Sequence, residues 1–451
     1  RLIRGKLSKL VGASGIPVEW FYTSRKDGGL NLQSLCDRQK ALTIRLYVGL
    51  TESYDRCVRM IIKASDDAEI NYRKASIDDS SPFLHIKLKS NGAIDGELNH
   101  GTSNLLSRCV KSLFDLNVGL SKVDDAFNLT DLDSDSSSVV HSHNIMKYVM
   151  KILHKRYSDK LCKHQSKGHS FSTLINSPIS NFFLKPKSLM TDTLTKFAIK
   201  ARTNSLITGA LLSKKSRNTG DLNDNNVNHL CYRCGAVETL HHIINGCPNA
   251  KQLFTKRHNT IQDILRNYLM NNKHFNVHSN QVVRGRGSEH LTGDSSTLKP
   301  DLWWWEGDRL MIAEFTIPYG MLTNVTGDNI STLTVRRNDK ITKYKCLVND
   351  CHSQFHCETK LFVIVVSSLG AIPRETLDEL KTVTGSNKTA LKLAARMAAA
   401  ALRETMLLYR KWMKRDNDDV DEVDAVTHDS DSESKNSNEE DPLDIDSDTD
   451  D

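Results

Sequence analysis

Two short apolar runs stand out along the chain, Leu302 to Trp305 and Leu310 to Ile317, both rich in aromatic and branched residues. Glu306-Gly307-Asp308 between them is a turn signal, so the pattern predicts a β-hairpin. With Glu306 to Arg309 as a four-residue loop, Trp305 faces Leu310 and Asp301 falls opposite Glu314 on one face, with Cβ atoms about 5 Å apart. A loop one residue shorter would send the two carboxylates to opposite faces, because the side-chain period of a strand is 2. Leu361 to Val366 is a continuous β-branched run and predicts a buried strand. Apolar positions at helical spacing predict helices over Asn31 to Tyr47, Tyr54 to Ala64, Ser103 to Phe114 and Asn144 to Tyr157. Further helices are predicted over Leu189 to Leu212, Asn249 to Met270, Asp339 to Val348, from Glu375 onward, and over Lys388 to Arg415.

Between these elements the pattern is weaker. Residues 65–100 are charged and irregular, Asp131 to Ser138 has the composition of a low-complexity linker, and Cys162 to Pro186 has no clear period. Gln281 to Val283 is a candidate short strand, and Met321 to Leu333 a loop or short strand. Hairpin, helix, buried strand and helix together predict a mixed sheet flanked by helices, an α/β core inside a multidomain α+β chain.

The hairpin carries the first candidate chemistry. Glu314 sits among Met311, Ile312, Ala313 and Phe315, where a carboxylate is costly unless it is paired or metal-bound. Asp301 and Glu314 converging at the hairpin mouth form the donor set that a hard divalent cation such as Mg²⁺ requires. The plainer alternative makes Asp301 a turn residue after Pro300 and Glu314 a neutralised edge charge.

A second constellation precedes it. Cys231, Cys234, His242 and Cys247 have the spacing C-x2-C-x7-H-x4-C. Four such ligands close a tetrahedral site for structural zinc, with His241 as the competing imidazole. Cys346, Cys351, His352, His356 and Cys357 follow no familiar ligand spacing and are expected to be helix-end and loop residues. The ten cysteines are scattered with no disulfide-like framework, which suits a reducing compartment and metal ligation.

Charge changes the picture once it is resolved along the chain. Residues 416–451 hold 17 of the 55 acidic residues and one of the 61 basic ones. The first 415 residues then carry 60 Lys and Arg against 38 Asp and Glu, a net +22. Such an excess points to a polyanionic partner, most simply nucleic acid, and the acidic tail is expected to be disordered. No run approaches 18 apolar residues, so no membrane span is expected. The chain opens at Arg1 without a methionine, and a piece of a longer protein is expected.

Several motifs occur in a telling order: Gly28-Gly29-Leu30, the Cys/His set, Arg257-His258-Asn259, Lys299-Pro300-Asp301, Glu314, Lys340-x2-Lys343-Tyr344, and Ser368-Leu369-Gly370-Ala371-Ile372-Pro373. This order resembles the carboxyl-terminal portion of the reverse transcriptase/endonuclease polyprotein of site-specific non-LTR retrotransposons, over about residues 1–412. The resemblance implies a thumb-like helical remnant over 1–63, a helical and basic linker over 64–225, a CCHC zinc knuckle over 226–250, a restriction-endonuclease-like PD-(D/E)xK domain over 251–415 and the acidic tail over 416–451. It implies metal-binding acids at Asp301 and Glu314 with Mg²⁺ or Mn²⁺. The lysine that restriction enzymes carry two residues after the second acid is replaced here by Thr316. Lys340, 26 residues after Glu314, is the candidate in its place, with Lys343 second.

The same resemblance implies DNA endonuclease activity that nicks target double-stranded DNA to prime reverse transcription of the element's RNA, in the nucleus. Arg202, Arg233, Arg257, His258, Lys299 and Tyr344 are the implied nucleic-acid contacts. A polymerase centre would need paired aspartates between apolar strands, and neither Ile77-Asp78-Asp79-Ser80 nor Lys122-Val123-Asp124-Asp125 is expected to have them. Reverse transcription is therefore expected only of a longer parent. Two other function classes stay open: a non-catalytic nucleic-acid-binding remnant, and a zinc-dependent protein-interaction module.

Overall fold

The computed structural model describes residues 5–6, 8–9, 16–90, 95, 104–123, 126–164, 168, 170–175, 177–185, 190–219, 229–325 and 328–414. The acidic tail over 416–451 and part of the Gly12 to Pro17 loop lie outside the described residues. The chain folds into two compact units, one made chiefly of residues 31–159 and the other of residues 1–21, 25–30 and 160–451. Each is an α+β assembly.

The smaller unit begins with helices α1 (Leu35–Thr51) and α2 (Arg56–Arg73). Ser34 caps the first by accepting from the Asp37 N–H, and Asp55 caps the second through the Cys57 N–H. Helix α2 extends well into the stretch predicted to be irregular. Its Lys63 and Asp67 are exposed on a largely solvent-facing helix, so the charge that hid the period there costs little in burial. It also carries position 63, the expected end of the first segment, inside one helix.

Helix α3 (Leu105–Leu116) ends on Asn117 in the left-handed region and runs into β1 (Val118–Val123), β2 (Ala126–Asp131) and β3 (Ser136–Val140), an antiparallel sheet in that order. Helix α4 (Ile145–Lys163) follows. The strands overturn the linker expected at Asp131 to Ser138. Phe127, Leu129 and Asp131 alternate inward on β2, whereas all but the last residue of β3 face solvent, so Ser-rich composition is tolerated on that edge. They also flank Lys122 to Asp125, contrary to expectation, although Asp124 and Asp125 themselves lie outside the described residues. Leu113, Val118, Leu120, Val140 and Val149 form the core of this unit.

In the larger unit the helix expected over Leu189 to Leu212 is broken in two. α5 (Asp192–Arg202) stops where Thr203 turns its hydroxyl back to the Ile199 carbonyl and Asn204 adopts φ +47°, and α6 (Gly209–Thr219) starts afresh. After the Cys/His segment comes α7 (Lys251–Asn272). Then follow β4 (His278–Ser279), β5 (Leu302–Glu306) and β6 (Arg309–Thr316). The short strand is thus His278–Ser279 rather than Gln281 to Val283.

A second hairpin, β7 (Leu322–Val325) with β8 (Asp328–Ser331), leads into α8 (Thr332–Phe355), which returns the chain to β9 (Glu358–Val365). Helices α9 (Arg374–Thr384) and α10 (Asn387–Lys414) close the unit. The sheet order is β4-β5-β6-β9, with β6 and β9 parallel and the other pairs antiparallel.

The central hairpin keeps the expected register, with Trp305 opposite Leu310 and Leu302 opposite Ala313. Its loop is tighter than four residues. Glu306 and Arg309 also pair, leaving Gly307 and Asp308 as the turn, and Gly307 takes φ +53° at the first turn position, where glycine is favoured. Leu310 and Ile312 face α8 together with Trp303, Tyr344 and Leu347. By period 2 Glu314 is the next residue on that face. The mixed sheet flanked by helices is therefore present, with the acid pair at the end where β5 begins.

Candidate functional site

Asp301 and Glu314 meet as the register requires. The Asp301 N–H donates to Glu314 Oε1 at 2.9 Å, and the Phe315 N–H donates to Asp301 Oδ2 at 2.7 Å. Each acid is thus fixed by the neighbouring strand's backbone. Glu314 is fully buried, and its Oε2 accepts from Lys340 Nζ at 2.6 Å. Ser331 accepts from the Leu333 N–H to start α8, and the helix places Lys340 over the acid two turns later. Lys343, the second candidate, is exposed, with its Nζ 3.5 Å from the Tyr344 hydroxyl.

Tyr344 is buried rather than offered to a ligand strand. Its hydroxyl donates to the Lys299 carbonyl at 3.3 Å and lies near enough to Glu314 to pull that carboxyl downward. His258 also joins the centre, with Nε2 3.2 Å from Asp301 Oδ2 and the ring edge-on to Phe315. On the same face of α7, one turn later, Gln262 Nε2 donates to the Asp301 carbonyl at 2.8 Å. Lys299 is exposed beside them.

The charges in this cluster are strongly interdependent. Burial raises the Glu314 carboxyl, the Asp301 charge raises it further, and Lys340 offsets only part of the rise. For Asp301 burial also acts upward, but His258, the Phe315 N–H and Lys340 together hold it below the ordinary carboxylate value. Burial opposes the His258 cation, yet its bond to Asp301 and the Asp301 charge outweigh that and raise its pKa. Burial first, then Glu314, pushes Tyr344 upward, so it stays a neutral phenol.

Both side-chain bonds of Asp301 go to Oδ2, leaving Oδ1 without a protein partner among the described residues. Glu314 is an acceptor-only group in a buried strand.

The second constellation forms a compact cluster. One ligand atom from each of Cys231, Cys234, His242 and Cys247 lies within 4.8 Å of all the others. Cys234 Sγ is 3.2 Å from His242 Nε2 and 3.9 Å from Cys247 Sγ. The edge of a tetrahedron with Zn–S bonds of ~2.3 Å is close to 3.8 Å, so the cluster has the dimensions of a structural zinc site. A bridge between Leu230 and Val237, with Gly235 at φ +75°, folds the first two cysteines into a tight turn. A π-helical turn over His242–Gly246 brings the Cys247 N–H to the His242 carbonyl, and so puts both ligands on one side. His242 is the imidazole that joins the cluster; His241 instead lies edge-on to Tyr319 with ring centroids 5.0 Å apart.

Glu238, buried in the same loop, accepts from the Gly209 N–H and from Trp412 Nε1. The cluster is thereby tied to α6 and α10. Arg233 is half-buried, its guanidinium 5.1 Å from the Tyr232 ring centroid and 5.3 Å from that of Trp412. Within the same larger unit Asn245, from the π-helical turn, donates to the Ile317 carbonyl just beyond β6. The later group behaves as expected of helix-end residues. Cys357 donates to the Cys351 carbonyl and His352 bonds the Cys357 carbonyl.

Two implied nucleic-acid contacts require correction. Arg202 is 2% exposed, and its guanidinium donates to the Leu369 and Ser180 carbonyls and to Asn181 Oδ1. Arg257 is also 2% exposed and donates to Thr405 of α10. Both are internal ties. The helical period carried the signal, because Arg257 lies four residues before Ile261 on the buried stripe of α7. Tyr344 and His258, also implied as nucleic-acid contacts, lie beside the acid pair. Nothing in the periodicity singled out Gln262 or Asn245.

All ten cysteines are unbridged, and among the described residues no helix is long and apolar enough to cross a membrane. No family model and no curated protein matches the chain.

Proposed function

We propose that the larger unit is a metal-dependent DNA endonuclease that nicks duplex DNA by phosphodiester hydrolysis, built on a restriction-endonuclease-like PD-(D/E)xK core. One observation carries the reading: a fully buried Glu314 held between the Asp301 backbone and the Lys340 ammonium at 2.6 Å. An acid pair at the mouth of a β-hairpin with a lysine delivered from the following helix is a spare arrangement for stability alone. Burying an ion pair is at best weakly stabilising compared with packed apolar groups. When bound, a hard divalent cation supplies Lewis acidity to the scissile phosphate and lowers the pKa of a water. Asp301 and Glu314 would hold it. Lys340 sits where it can orient that water or offset charge building on the phosphate, and Lys299 and Lys343 add positive charge at the rim. Nicking for target-primed reverse transcription within a longer polyprotein, with the element's RNA as a further partner, is the wider setting this reading carries.

A second reading has its own support. The Cys3His cluster has the dimensions of a structural zinc site, and Arg233 and Tyr232 lie at its rim. A non-catalytic module that grips nucleic acid, or a zinc-dependent protein-interaction module, would use that cluster and leave the acid pair as a relic. Supercoiled plasmid incubated with Mg²⁺ or Mn²⁺ separates the readings. Wild type is expected to nick, with Asp301→Asn and Glu314→Gln reduced at least a hundredfold while still binding DNA. Equal residual nicking in all three proteins removes the enzyme reading and leaves the binding module.

A further inference from the structure

We propose that Gln262 is a positioning residue of the acid pair, and that α7 acts as a two-point clamp on Asp301; this rests on the metal-centre reading given above. Gln262 is 3% exposed, so its amide lies in the interior of the unit. Only half of that amide is satisfied. Nε2 donates to the Asp301 carbonyl at 2.8 Å, whereas Oε1 is buried with no partner. A buried acceptor left unmade is costly, and Leu or Met would fill the volume without it. Packing alone therefore gives no reason for an amide here.

What the amide touches supplies the reason. The Asp301 backbone is held from three directions: its carbonyl by Gln262 and by the Asn280 N–H at 3.1 Å, and its N–H by Glu314 Oε1 at 2.9 Å. One turn before Gln262, His258 holds Asp301 Oδ2 at 3.2 Å. Residues four apart lie on one helix face, so α7 grips both the main chain and the carboxylate of the same aspartate. Because the Asp301 N–H is itself bonded to Glu314, a shift of that peptide moves the separation of both carboxylates. Groups behind metal ligands that fix their orientation typically alter metal affinity 10–100-fold when lost.

The test is Gln262→Met in the full chain. Its denaturation midpoint is expected to equal or exceed that of wild type, because the orphaned acceptor is gone. Mn²⁺ affinity, read by the loss of the free-ion paramagnetic resonance signal, is expected to weaken about tenfold. The ¹⁵N resonance of the His258 ring is expected to move with no metal added, because Asp301 is no longer held in place beneath it. Wild-type Mn²⁺ affinity together with an unmoved His258 resonance overturns the proposal. Glu314→Gln is the separate arm for the parent reading. If it binds Mn²⁺ as wild type does, the metal centre fails, and the His258 resonance in Gln262→Met still decides whether Gln262 positions Asp301.

Discussion

Arg202→Met is the most direct test of the way the larger unit is held together. The substitution keeps most of the side-chain volume and removes the guanidinium. Four hydrogen bonds disappear, two to the Leu369 carbonyl and one each to the Ser180 carbonyl and Asn181 Oδ1. Three buried acceptors lose a donor, each at about 1–3 kcal/mol. The stacking of the guanidinium on Phe183, 4.6 Å from the ring centroid, is also lost. Against this stands relief of a desolvated cation with no carboxylate beside it: burial alone pulls the Arg202 pKa down to about 9. The net expectation is a loss of about 3 kcal/mol. Arg202→Lys should fall between, since one ammonium cannot reach all three acceptors in the geometry of a planar fork. The loss should be large for a further reason: Asn181 also donates to the Lys26, Leu174 and Ser177 carbonyls, and Ser180 bonds both ways with Ile372. Arg202 is therefore the tie among three loops. Denaturant unfolding followed by tryptophan fluorescence suits the measurement, because all five tryptophans, at positions 20, 303, 304, 305 and 412, lie in the larger unit. A stability within 1 kcal/mol of wild type, accompanied by weakened DNA binding, would refute this account and return Arg202 to the nucleic-acid surface.

Other perturbations have equally definite outcomes. Chelation, or Cys234→Ser, should release one zinc per chain in a colorimetric metal assay and loosen the Trp412 environment, because the cluster loop holds that indole through Glu238. Lys340→Met leaves the buried Glu314 without its cation and should cost about 2 kcal/mol as well as nicking, whereas Lys343→Met at an exposed position should stay within about 0.5 kcal/mol. Asp66 tests the smaller unit through pH. Burial and Asp67 raise its carboxyl to about 6 although its bond with Tyr47 works the other way. The folded state then holds a proton that the unfolded state has released, so stability is greatest below the unfolded value near 4 and is lost as pH rises through 6. Asp66→Asn should remove that slope and gain about 1–2 kcal/mol at pH 8, allowing for the partial exposure of the group. Chemical denaturation at pH 5 and pH 8 checks it, and a slope unchanged in the variant would rule out Asp66 as its source.

The elements legible in the sequence are those whose burial is one-sided and local. The alternation through Trp303, Leu310 and Ile312 fixed the hairpin, and its register alone put Asp301 against Glu314, because a strand's period leaves no other face. The compact spacing of Cys231, Cys234, His242 and Cys247 likewise specified the cluster before any fold was known, since two cysteines in one turn and a His–Cys pair in the next can reach a common ion. Tertiary structure decided what local pattern cannot carry. Which arginines are surface and which are ties depends on acceptors contributed from far along the chain, as Leu369 is for Arg202 and Thr405 for Arg257. The strands at 118–140 exist because neighbouring segments pair with them, so a serine-rich edge reads as linker until its partner is known. Lys340 reaches Glu314 only through a hairpin and two turns of helix, and His258 and Gln262 reach Asp301 only because α7 packs across the start of β5. The sequence determined the acids and the cluster; the packing determined which cation, imidazole and amide surround the acids.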